Sequence, residues 1–365
     1  MRSSKVLAPR ANVPLASLGT LGVGGAARWF LRAEHADDVA AARGWCEEQK
    51  IPWFVLGGGS NVVIADRGFN GLVLQIGITG TRVSRDGEDT LITAGAGESW
   101  DDLVQMAIER GLAGIECLSG IPGTVGGTPI QNVGAYGQEV SSTIEQVIVY
   151  DCADHIVRSM SAAECGFSYR MSRFKSADEG RFVVCEVAFR LRPGPPTATY
   201  ADVATFLKRS NASTPTVAVV RDAVLNIRRS KGMVVDVNDP DSRSVGSFFM
   251  NPVVTEADRE RVASVDGERP PGFATNDGRV KIPAAWLIER SGFMKGYVDG
   301  AVGVSTKHPL ALVNRGGATA ADVLRLARTI KQRVGDRFGV WLRPEPIFVG
   351  FDADPDVEFL TRATS

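Results

Sequence analysis

Three consecutive glycines follow a short apolar stretch near the start of the chain, in the segment LGGGSN. Such glycines let the backbone approach a ligand closely and aim N–H groups at a pyrophosphate, and the polar side chains after them can add hydrogen bonds. A tight hairpin is the alternative. The residues that would form this phosphate-binding loop are Leu56, Gly57, Gly58, Gly59, Ser60 and Asn61.

A second glycine-rich stretch, residues 119–139, has a more unusual composition. Six of its residues between 120 and 137 are glycine, so it cannot form a regular helix or a central strand. A loop of this length is usually functional or disordered, and its apolar residues argue against disorder. A buried irregular connection is the alternative. The composition suits a flat cofactor that carries a polyphosphate, and the candidate residues are Gly120, Ile121, Pro122, Gly123, Thr124, Gly126, Gly127, Gln131, Asn132, Gly134, Ala135 and Tyr136.

The segment GSFFMNP, residues 246–252, sets a small hydroxyl group against aromatic bulk. Ser247 precedes Phe248 and Phe249, at a place where packing alone would favour another apolar residue. Taken alone, such a serine is most often a structural hydroxyl. The segment therefore raises the question of what Ser247 does, and composition does not answer it.

Several other chemistries are excluded by the motifs that the sequence lacks. No G-x-x-x-x-G-K-[ST] occurs, which excludes the P-loop kinases and ATPases. The segment after residues 56–61 is strand-like, and GVGGAA at residues 22–27 follows no strand, so neither is a Rossmann turn. The five cysteines contain no C-x-x-C pair and the three histidines no H-E-x-x-H, so we expect reduced thiols and no metal site.

Charge and hydropathy indicate which partners to expect. The chain has 41 Lys and Arg residues against 42 Asp and Glu residues, and it is only locally basic, around Arg228, Arg229 and Lys231. A nucleic-acid partner requires a concentrated basic face. No segment reaches the roughly 18 to 20 apolar residues that span a bilayer. We therefore expect a cytoplasmic protein without a nucleic-acid or membrane partner, and the charge leaves phosphorylated small molecules open as partners.

Helices and strands are predicted on both sides of the glycine loops. Helices are expected at residues 37–50, at 202–209, at 222–229, at 284–290 and from a Ser99 N-cap, with Asp102 in the capping-box position, to Arg110. Another helix follows Thr319, with an apolar stripe of Val323, Ala327, Ile330 and Val334 and an end at Gly339. Strands are expected at residues 53–56, 62–64, 72–76, 90–93, 144–150, 156–160, 182–192 and within 340–350. The proline-rich segment 192–200 is predicted to be a linker or loop.

The motifs LGGGSN, GIPGTVGGTPIQNVGAYGQE, SYR, RRSKG, GSFFMNP and WLRPEPIFVG, in this order, resemble the UDP-N-acetylenolpyruvoylglucosamine reductase (MurB) family of peptidoglycan synthesis. The resemblance extends from about Leu15 to Gly350. It implies an α+β fold, with an FAD-binding module of two subdomains, like that of p-cresol methylhydroxylase and vanillyl-alcohol oxidase, over residues 1–194. It further implies a C-terminal α/β substrate-binding domain over residues 195–330. Residues 331–365, which carry Glu345, are expected to pack back on the FAD module.

The resemblance also implies a redox reaction. Non-covalently bound FAD would take a hydride from NADPH and deliver it from N5 to C3 of UDP-N-acetylglucosamine enolpyruvate, which gives UDP-N-acetylmuramate. Ser247 matches the general acid that protonates C2, with Phe248 and Phe249 placed to exclude water. Arg170 matches the cation beside the substrate carboxylate. Glu345 matches the third catalytic residue, and it is expected to be protonated because burial disfavours a charged carboxylate.

Further residues match binding positions of the family. The expected substrate contacts are Tyr169, Tyr200, Lys231, Asn251 and His308. Arg228 joins the expected FAD-binding residues of the two glycine loops. The chain departs from the family where Met250 replaces a frequent lysine and where Phe273 replaces a tyrosine. A monomer is expected, with a role in cell wall biogenesis, cell shape and cell division.

Two alternative functions remain at the level of sequence. The first is a flavin oxidase or dehydrogenase of the same FAD-domain superfamily that acts on alcohols or sugars. It would share GGGSN, but it needs a base for which no His or Tyr is an obvious candidate. The second is a non-catalytic flavin-binding or nucleotide-sugar-binding protein, which would have no need for a proton donor such as Ser247.

Overall fold

The computed structural model describes residues 8–209, 215–275 and 277–362. Helices and strands are mixed along this part of the chain, which confirms the predicted α+β class. The helices are α1 (Ala36–Gln49), α2 (Trp100–Glu109), α3 (Ala201–Arg209), α4 (Val217–Ser230), α5 (Glu256–Asp266), α6 (Ala284–Arg290), α7 (Ala320–Phe338) and α8 (Pro355–Thr361).

The strands are short, and many contain only two or three residues. Those in the first half of the chain are β1 (Arg10–Pro14), β2 (Ala26–Ala33), β3 (Trp53–Leu56), β4 (Val62–Ile64), β5 (Phe69–Ile76), β6 (Thr81–Asp86), β7 (Asp89–Gly95), β8 (Leu112–Ala113), β9 (Gly134–Ala135), β10 (Gln138–Glu139), β11 (Ile144–Asp151), β12 (Ile156–Ser161) and β13 (Phe182–Pro193). They are followed by β14 (Val253–Val254), β15 (Phe273–Ala274), β16 (Val280–Lys281), β17 (Val298–Asp299), β18 (Val302–Val304), β19 (Leu312–Asn314) and β20 (Ile347–Val349).

Packing divides the chain into two compact units. The first contains the segment that ends at Val13, Ala27–Gly59 and Asn70–Ser230. The second contains Pro14–Ala26, Ser60–Phe69 and the residues from Lys231 onward. These units do not coincide with the domain edges predicted at residues 194 and 330, which remain predictions. Helices α3 and α4 join the first unit because Val203 and Val220 are fully buried in one cluster with Cys117.

The first unit is built on two sheets. One has the strand order β1-β2-β5-β3, and the other has the order β12-β11-β13-β7-β6. The larger sheet packs against α2, where Trp100 is buried with its ring centroid 5.6 Å from that of Phe189 on β13. Helix α2 begins where Ser99 accepts a hydrogen bond from the Asp102 N–H, which confirms the predicted N-cap. This cap fixes the position of the helix end that faces the second glycine loop.

The second unit is organised around α7. The predicted apolar stripe of α7 is completely or almost completely buried together with Phe248 and Phe249. Thr319 and Asp322 form a capping box at its start, and Gly339 ends it with a φ of 66°. Strand β20 pairs in parallel with β4, and the small antiparallel sheets β14-β16-β15 and β17-β18-β19 complete the unit.

Several elements differ from the predictions, and a physical reason can be given for four of them. Helix α4 begins at Val217 rather than Asp222, because burial of its apolar first turn outweighs the low helix propensity of valine. Within 340–350 only β20 is a strand, since Pro344 and Pro346 lack the N–H that a ladder requires. Helices α5 and α8 were not predicted, because Val262 and Leu360 are their only fully buried residues and leave no apolar period.

No helix in the described ranges combines the length and apolar character that crossing a membrane requires.

Candidate active site

The two glycine loops touch one another in the first unit. A Cβ atom on Gly58 would lie 2.7 Å from the Cα of Gly123, closer than real Cβ contacts come, so only glycine fits there. A Cβ on Gly57 would lie 3.1 Å from Oγ1 of Thr124. The backbone at Gly57 and Gly58 thus forms a shallow cradle with residues 123–124.

Thr124 adds an unusual polar atom to this cradle. Its Oγ1 is buried, and no hydrogen-bond partner for it exists among the residues that the structure describes. Buried hydroxyl groups are nearly always hydrogen-bonded, so one without a partner calls for an explanation. A phosphate oxygen of a bound cofactor would accept a hydrogen bond from the Thr124 hydroxyl. The cradle and the Thr124 hydroxyl therefore fit the predicted FAD.

The second glycine loop is fastened to the end of β7 and the start of α2. The N–H of Gly126 donates to Ala96 O at 2.9 Å, and the N–H of Trp100 donates to Gly123 O at 3.1 Å. The N–H of Gly120 donates to the Asp101 carboxylate at 2.6 Å. These bonds hold the irregular loop in one conformation at the N-terminal end of α2, where the helix dipole favours an anionic ligand.

Asp101 connects this loop to α4. Its two carboxylate oxygens accept hydrogen bonds from Arg221 at 2.7 and 2.9 Å. Burial by itself raises the pKa of Asp101, but the bonds from Arg221 and from the Gly120 N–H outweigh it and hold the pKa below its usual value. This bidentate pair was not predicted, because its two partners are far apart in the chain.

Tyr136, Tyr200 and Arg228 lie together in the first unit. The rings of Tyr136 and Tyr200 meet edge to face, with centroids 5.4 Å apart. Arg228 is almost completely buried, and burial lowers the pKa of its guanidinium while Tyr136 and Asp101 raise it. Tyr136 has a φ of 48°, an uncommon conformation for a residue with a bulky side chain. The structure thus brings two predicted FAD-binding residues to one predicted substrate contact.

Asn132, a predicted FAD-binding residue, has extensive contacts within the protein. Its Nδ2 donates to Glu139 at 3.0 Å and to Ser168 O at 3.1 Å, and its Oδ1 accepts from Ser141 N at 3.2 Å. The side chain braces the glycine loop, and its contribution to FAD binding remains a prediction. Gln131 accepts a long hydrogen bond of 3.4 Å from Lys175.

Arg170 lies at the tip of a tight turn. Ser168 and Met171 exchange backbone hydrogen bonds of 2.9 and 3.1 Å, so Tyr169 and Arg170 are the two central residues of the turn. Arg170 has a φ of 55°, which is strained for any residue but glycine. Its guanidinium donates to Gly134 O at 2.5 Å and lies 5.4 Å from the Tyr169 ring centroid. The turn and the glycine loop thus fix this cation together.

Ser247 belongs to an extended segment of the second unit. Gly246 precedes it with a φ of 75°, which a non-glycine residue rarely adopts. Ser247 forms an isolated bridge with Ala311, and Phe248 N donates to Leu310 O at 2.8 Å. The hydroxyl side chain is half-buried, whereas the two phenylalanines that follow it are buried in the core.

Glu345 lies on the segment that flanks Ser247 on the other side. Its N–H donates to Phe248 O at 2.9 Å, and Phe249 forms an isolated bridge with Pro344. The carbonyl of Glu345 accepts a hydrogen bond of 3.4 Å from Asn61. Glu345 is half-buried rather than an exposed loop acid. The second unit thus holds the predicted proton donor and the predicted acid on neighbouring backbone segments.

The remaining predicted substrate residues of this unit lie on nearby chain segments. The backbone N–H of His308 donates to Ser305 at 3.2 Å, in the turn that leads to Ala311. Asn251 follows the GSFFM segment, and its Oδ1 accepts from Ala284 N at 2.9 Å, so it caps α6. Lys231 directly follows α4 and is half-buried.

The predicted site residues divide between the two units. The first unit contains Leu56, Gly57, Gly58, Gly59, the candidates from Gly120 to Tyr136, Tyr169, Arg170, Tyr200 and Arg228. The second contains Ser60, Asn61, Lys231, Ser247, Asn251, His308 and Glu345. The first unit thus contains one predicted catalytic residue, Arg170, and the second contains two, Ser247 and Glu345. Each unit also contains several residues that are predicted to bind FAD or substrate.

Proteins of known function are similar to this chain over most of its length. Residues 239–349 match the family described as UDP-N-acetylenolpyruvoylglucosamine reductase, C-terminal domain, and residues 27–158 match the family described as FAD binding domain. A UDP-N-acetylenolpyruvoylglucosamine reductase of Thermobifida fusca is 49% identical over 353 residues, which cover 93% of this chain and 97% of that protein. The Streptomyces avermitilis protein of the same name is 47% identical over 352 residues, with coverages of 93% and 95%. The crystal structure of UDP-N-acetylenolpyruvylglucosamine reductase (MurB) from Thermus caldophilus superposes with a TM-score of 0.64 at 26% identity, over 94% of this chain and 100% of that one.

Proposed function

We infer the function of this chain from its family, because it belongs to the UDP-N-acetylenolpyruvoylglucosamine reductases. It is an oxidoreductase that uses FAD and NADPH to reduce UDP-N-acetylenolpyruvoylglucosamine to UDP-N-acetylmuramate in peptidoglycan synthesis. The structural observation that best supports this assignment is the pairing of the Ser247 segment with the Glu345 segment. A non-catalytic binding protein would have no use for this arrangement of a hydroxyl and an acid.

The first unit has the features that an FAD site needs. The backbone can approach the pyrophosphate closely at Gly57, Gly58 and Gly123. The buried Thr124 hydroxyl, which has no partner among the described residues, would donate a hydrogen bond to a phosphate oxygen. Arg228, which is almost completely buried beside Tyr136, would add a positive charge. When bound, FAD takes a hydride from NADPH and supplies it to the vinyl carbon C3 of the enolpyruvyl group.

Ser247 provides the proton that completes the reduction. Addition of hydride at C3 leaves negative charge at C2 of the substrate, and the Ser247 hydroxyl donates its proton to that carbon. An alcohol is a weak acid, so this transfer requires that the charge at C2 is stabilised and that water is kept away. The rings of Phe248 and Phe249 are buried in the core beside Ser247, and they support the exclusion of water from this side of the extended segment.

Arg170 and Glu345 stabilise the charge that develops beside C2. The planar guanidinium of Arg170 matches a carboxylate that becomes an enediolate, and its fixed turn removes the cost of orienting it during the reaction. Glu345 acts in its protonated form, because a carboxylate would repel the negative charge at C2. It then donates a hydrogen bond instead of repelling the anion.

The substrate is held through its nucleotide sugar. Lys231 and Asn251 contact the diphosphate, and His308 contacts the same substrate from the turn before Ala311. Tyr169 and Tyr200 supply aromatic surface, and Tyr200 is 45% exposed, which leaves its ring available to cover a ligand. Each of these assignments rests on the family position that the residue matches.

The protein acts in the cytoplasm as a monomer, without a membrane or nucleic-acid partner. All five cysteines are buried and unpaired, and burial raises the pKa of Cys117 and Cys165 to about 12. Such thiols are poor nucleophiles and suit a reducing compartment. Gel filtration at several concentrations tests the monomer, because a mass that rises with concentration would contradict it.

The function is tested by the substrate dependence of NADPH oxidation. Purified protein with bound FAD should oxidise NADPH rapidly only when UDP-N-acetylenolpyruvoylglucosamine is added, with one UDP-N-acetylmuramate formed per NADPH. UDP-N-acetylglucosamine without the enolpyruvyl group serves as the control and should have no effect. Oxygen consumption with an alcohol or sugar, without any need for the enolpyruvyl group, would favour a flavin oxidase instead.

A further inference from the structure

Glu116 is a completely buried acid in the first unit to which neither the sequence nor the proposed reaction assigns a role. It lies in a turn of 3-10 helix, Glu116–Leu118, between α2 and the second glycine loop. A buried carboxylate is costly to desolvate unless hydrogen bonds compensate for the lost water. The partners of Glu116 therefore indicate what the chain gains from it.

Three N–H donors from three separate segments converge on Glu116. Its Oε2 accepts from Gly114 N at 2.7 Å. Its Oε1 accepts from Gln138 Nε2 at 2.8 Å and from Thr197 N at 2.6 Å. One side chain thus joins the residues before the glycine loop, the end of that loop and the proline-rich segment that follows β13.

All three polar heavy atoms of Thr197, N, O and Oγ1, form hydrogen bonds. Besides the bond from its N–H to Glu116, its Oγ1 accepts from Gln138 Nε2 at 3.1 Å and its carbonyl accepts from the Cys117 thiol at 3.2 Å. Gln138 is fixed in turn, since its Oε1 accepts from Cys117 N at 2.8 Å. The proline-rich segment, predicted to be a linker or loop, is therefore a loop that is anchored firmly at Thr197. We refer to Glu116, Gln138 and Thr197 as the clamp.

The clamp lies close in sequence to both tyrosines of the Tyr136–Tyr200 pair. Tyr136 comes two residues before Gln138, and Tyr200 comes three residues after Thr197, at the start of α3. The two rings meet edge to face at 5.4 Å. Because each tyrosine lies within three residues of a group that donates to Glu116, the Gln138 side chain in one case and the Thr197 backbone N–H in the other, the geometry of the ring pair depends on this carboxylate.

We propose that Glu116 is a positioning residue, which holds Tyr136 and Tyr200 in the arrangement that receives the nucleotide-sugar substrate. This inference rests on the proposed function, in which Tyr200 contacts the substrate. A ring that is exposed and attached to an unanchored proline-rich segment would lose conformational freedom on binding. The clamp removes part of that cost before the substrate arrives.

A carboxylate suits this position better than any neutral side chain. It offers only acceptors, and all three groups that face it are donors. Glutamine in its place would turn an NH₂ group either towards the Gly114 N–H or towards the Thr197 and Gln138 donors. In both orientations at least one buried N–H loses its acceptor. Glu116→Gln therefore disrupts the clamp with almost no change in volume.

The test is a double-mutant cycle on the purified holoenzyme. Glu116→Gln should raise the KM for UDP-N-acetylenolpyruvoylglucosamine about tenfold, or about 1.4 kcal/mol, while the rate of flavin reduction by NADPH stays unchanged. In the Tyr200→Ala background the same substitution should raise KM less than about twofold, since coupled residues are non-additive. An equal rise in both backgrounds would overturn the inference, because Glu116 would then act independently of Tyr200.

A matched control separates positioning from simple loss of stability. Asp151 is also completely buried in the first unit, where it accepts hydrogen bonds from Arg181. Asp151→Asn should lower Tm without a change in KM. If it raised KM as much as Glu116→Gln does, general destabilisation would account for both results and the inference would be wrong.

Amide hydrogen exchange gives a second result that does not depend on turnover. Glu116→Gln should accelerate exchange of the Gly114 N–H or of the Thr197 N–H about tenfold or more, depending on which of them faces the new NH₂ group, and Asp151→Asn should accelerate neither. Unchanged exchange at both Gly114 and Thr197 would overturn the clamp, even in an enzyme that turns over normally. If Tyr200→Ala had no effect on KM, the positioning role would be overturned. If the wild-type protein could not reduce the enolpyruvyl substrate, the proposed function would be contradicted, and the exchange result alone would decide whether the clamp exists.

Discussion

The backbone N–H of Glu345 donates a hydrogen bond of 2.9 Å to the carbonyl of Phe248, the residue that follows Ser247. Two groups separated by nearly a hundred residues in sequence therefore lie on adjacent backbone segments of one unit. This pairing holds the acid and the hydroxyl to a fixed backbone geometry. These backbone bonds fix the position from which each side chain extends, and the packing around each side chain sets its rotamer.

Removal of the Ser247 hydroxyl should affect only one half of the reaction. In Ser247→Ala, flavin reduction by NADPH should keep its rate within about twofold, since no proton is delivered to C2 in that step. Reoxidation by the enolpyruvyl substrate should slow by about 10² or more, the usual range for a lost general acid. Anaerobic stopped-flow absorbance measures both rates.

Ser291 offers a matched control for this experiment. It is a buried serine of the same unit, and its Oγ has no hydrogen-bond partner among the described residues. Ser291→Ala should leave both half-reactions unchanged. An equal loss in both half-reactions of Ser247→Ala would contradict its role as proton donor.

Replacement of Glu345 should reveal which protonation state acts. Glutamine resembles a protonated glutamic acid in shape and can donate a hydrogen bond, so Glu345→Gln should keep the reoxidation rate within about tenfold. Glu345→Ala should slow it by about 10² because no donor remains. Pre-steady-state reoxidation measures both variants. If both variants lost the same activity, the acid would be required as a charge or as a proton carrier rather than as a neutral donor.

A methyl group at Gly58 should remove the cofactor. The added Cβ would lie 2.7 Å from the Gly123 Cα, so the two glycine loops would have to separate. We expect Gly58→Ala to be purified with less than about a tenth of the normal FAD content, measured as flavin absorbance per protein after gel filtration. In Gly44→Ala the new Cβ meets nothing within 4 Å, and normal FAD content is expected. Full FAD content in Gly58→Ala would show that the loops do not form the cradle.

Acid should weaken the anchor of the second glycine loop through Asp101. The pKa of Asp101 in the folded protein is below its usual value, because Arg221 and the Gly120 N–H outweigh the effect of burial. The unfolded chain therefore binds a proton at a higher pH, near about 4, than the folded one. The stability that Asp101 contributes is fully present above that pH and is lost as the pH falls through the lower folded pKa.

This sign predicts a difference between wild type and Asp101→Asn. The free energy of unfolding, measured by urea titration between about pH 6 and pH 3, should fall more steeply with acid in the wild type. Asp101→Asn should be less stable at pH 6 and should show a smaller acid-dependent loss. Gly44→Ala, which changes no titratable group and whose new Cβ meets nothing within 4 Å, should retain the wild-type slope. Identical slopes for wild type and Asp101→Asn would contradict the assignment.

Local features of the chain were predictable from the sequence. The Ser99 cap, the apolar stripe of α7 and its end at Gly339 depend on residues within one helix, and the structure confirms them. The irregular nature of residues 119–139 was predictable as well, since six glycines cannot form regular structure. In these cases the residues that determine the local structure lie within a few positions of it in the sequence.

Features that depend on distant partners were not predictable. Nothing in the turn at Glu116 indicates that its partners are Gln138 and Thr197, and a single acid has no period that would show burial. The pair of Asp101 and Arg221 was missed for the same reason. The positive φ of Arg170 was not predictable either, because an arginine in the left-handed region of φ and ψ has no signature in the sequence.

The most direct test of the account is a single turnover without oxygen. Wild-type enzyme that has been reduced by one equivalent of NADPH is mixed with UDP-N-acetylenolpyruvoylglucosamine, and flavin absorbance and product are followed together. We predict that the oxidised flavin band returns fully and that one UDP-N-acetylmuramate forms per flavin. A flavin that stays reduced, or one that reoxidises without that product, would contradict the account.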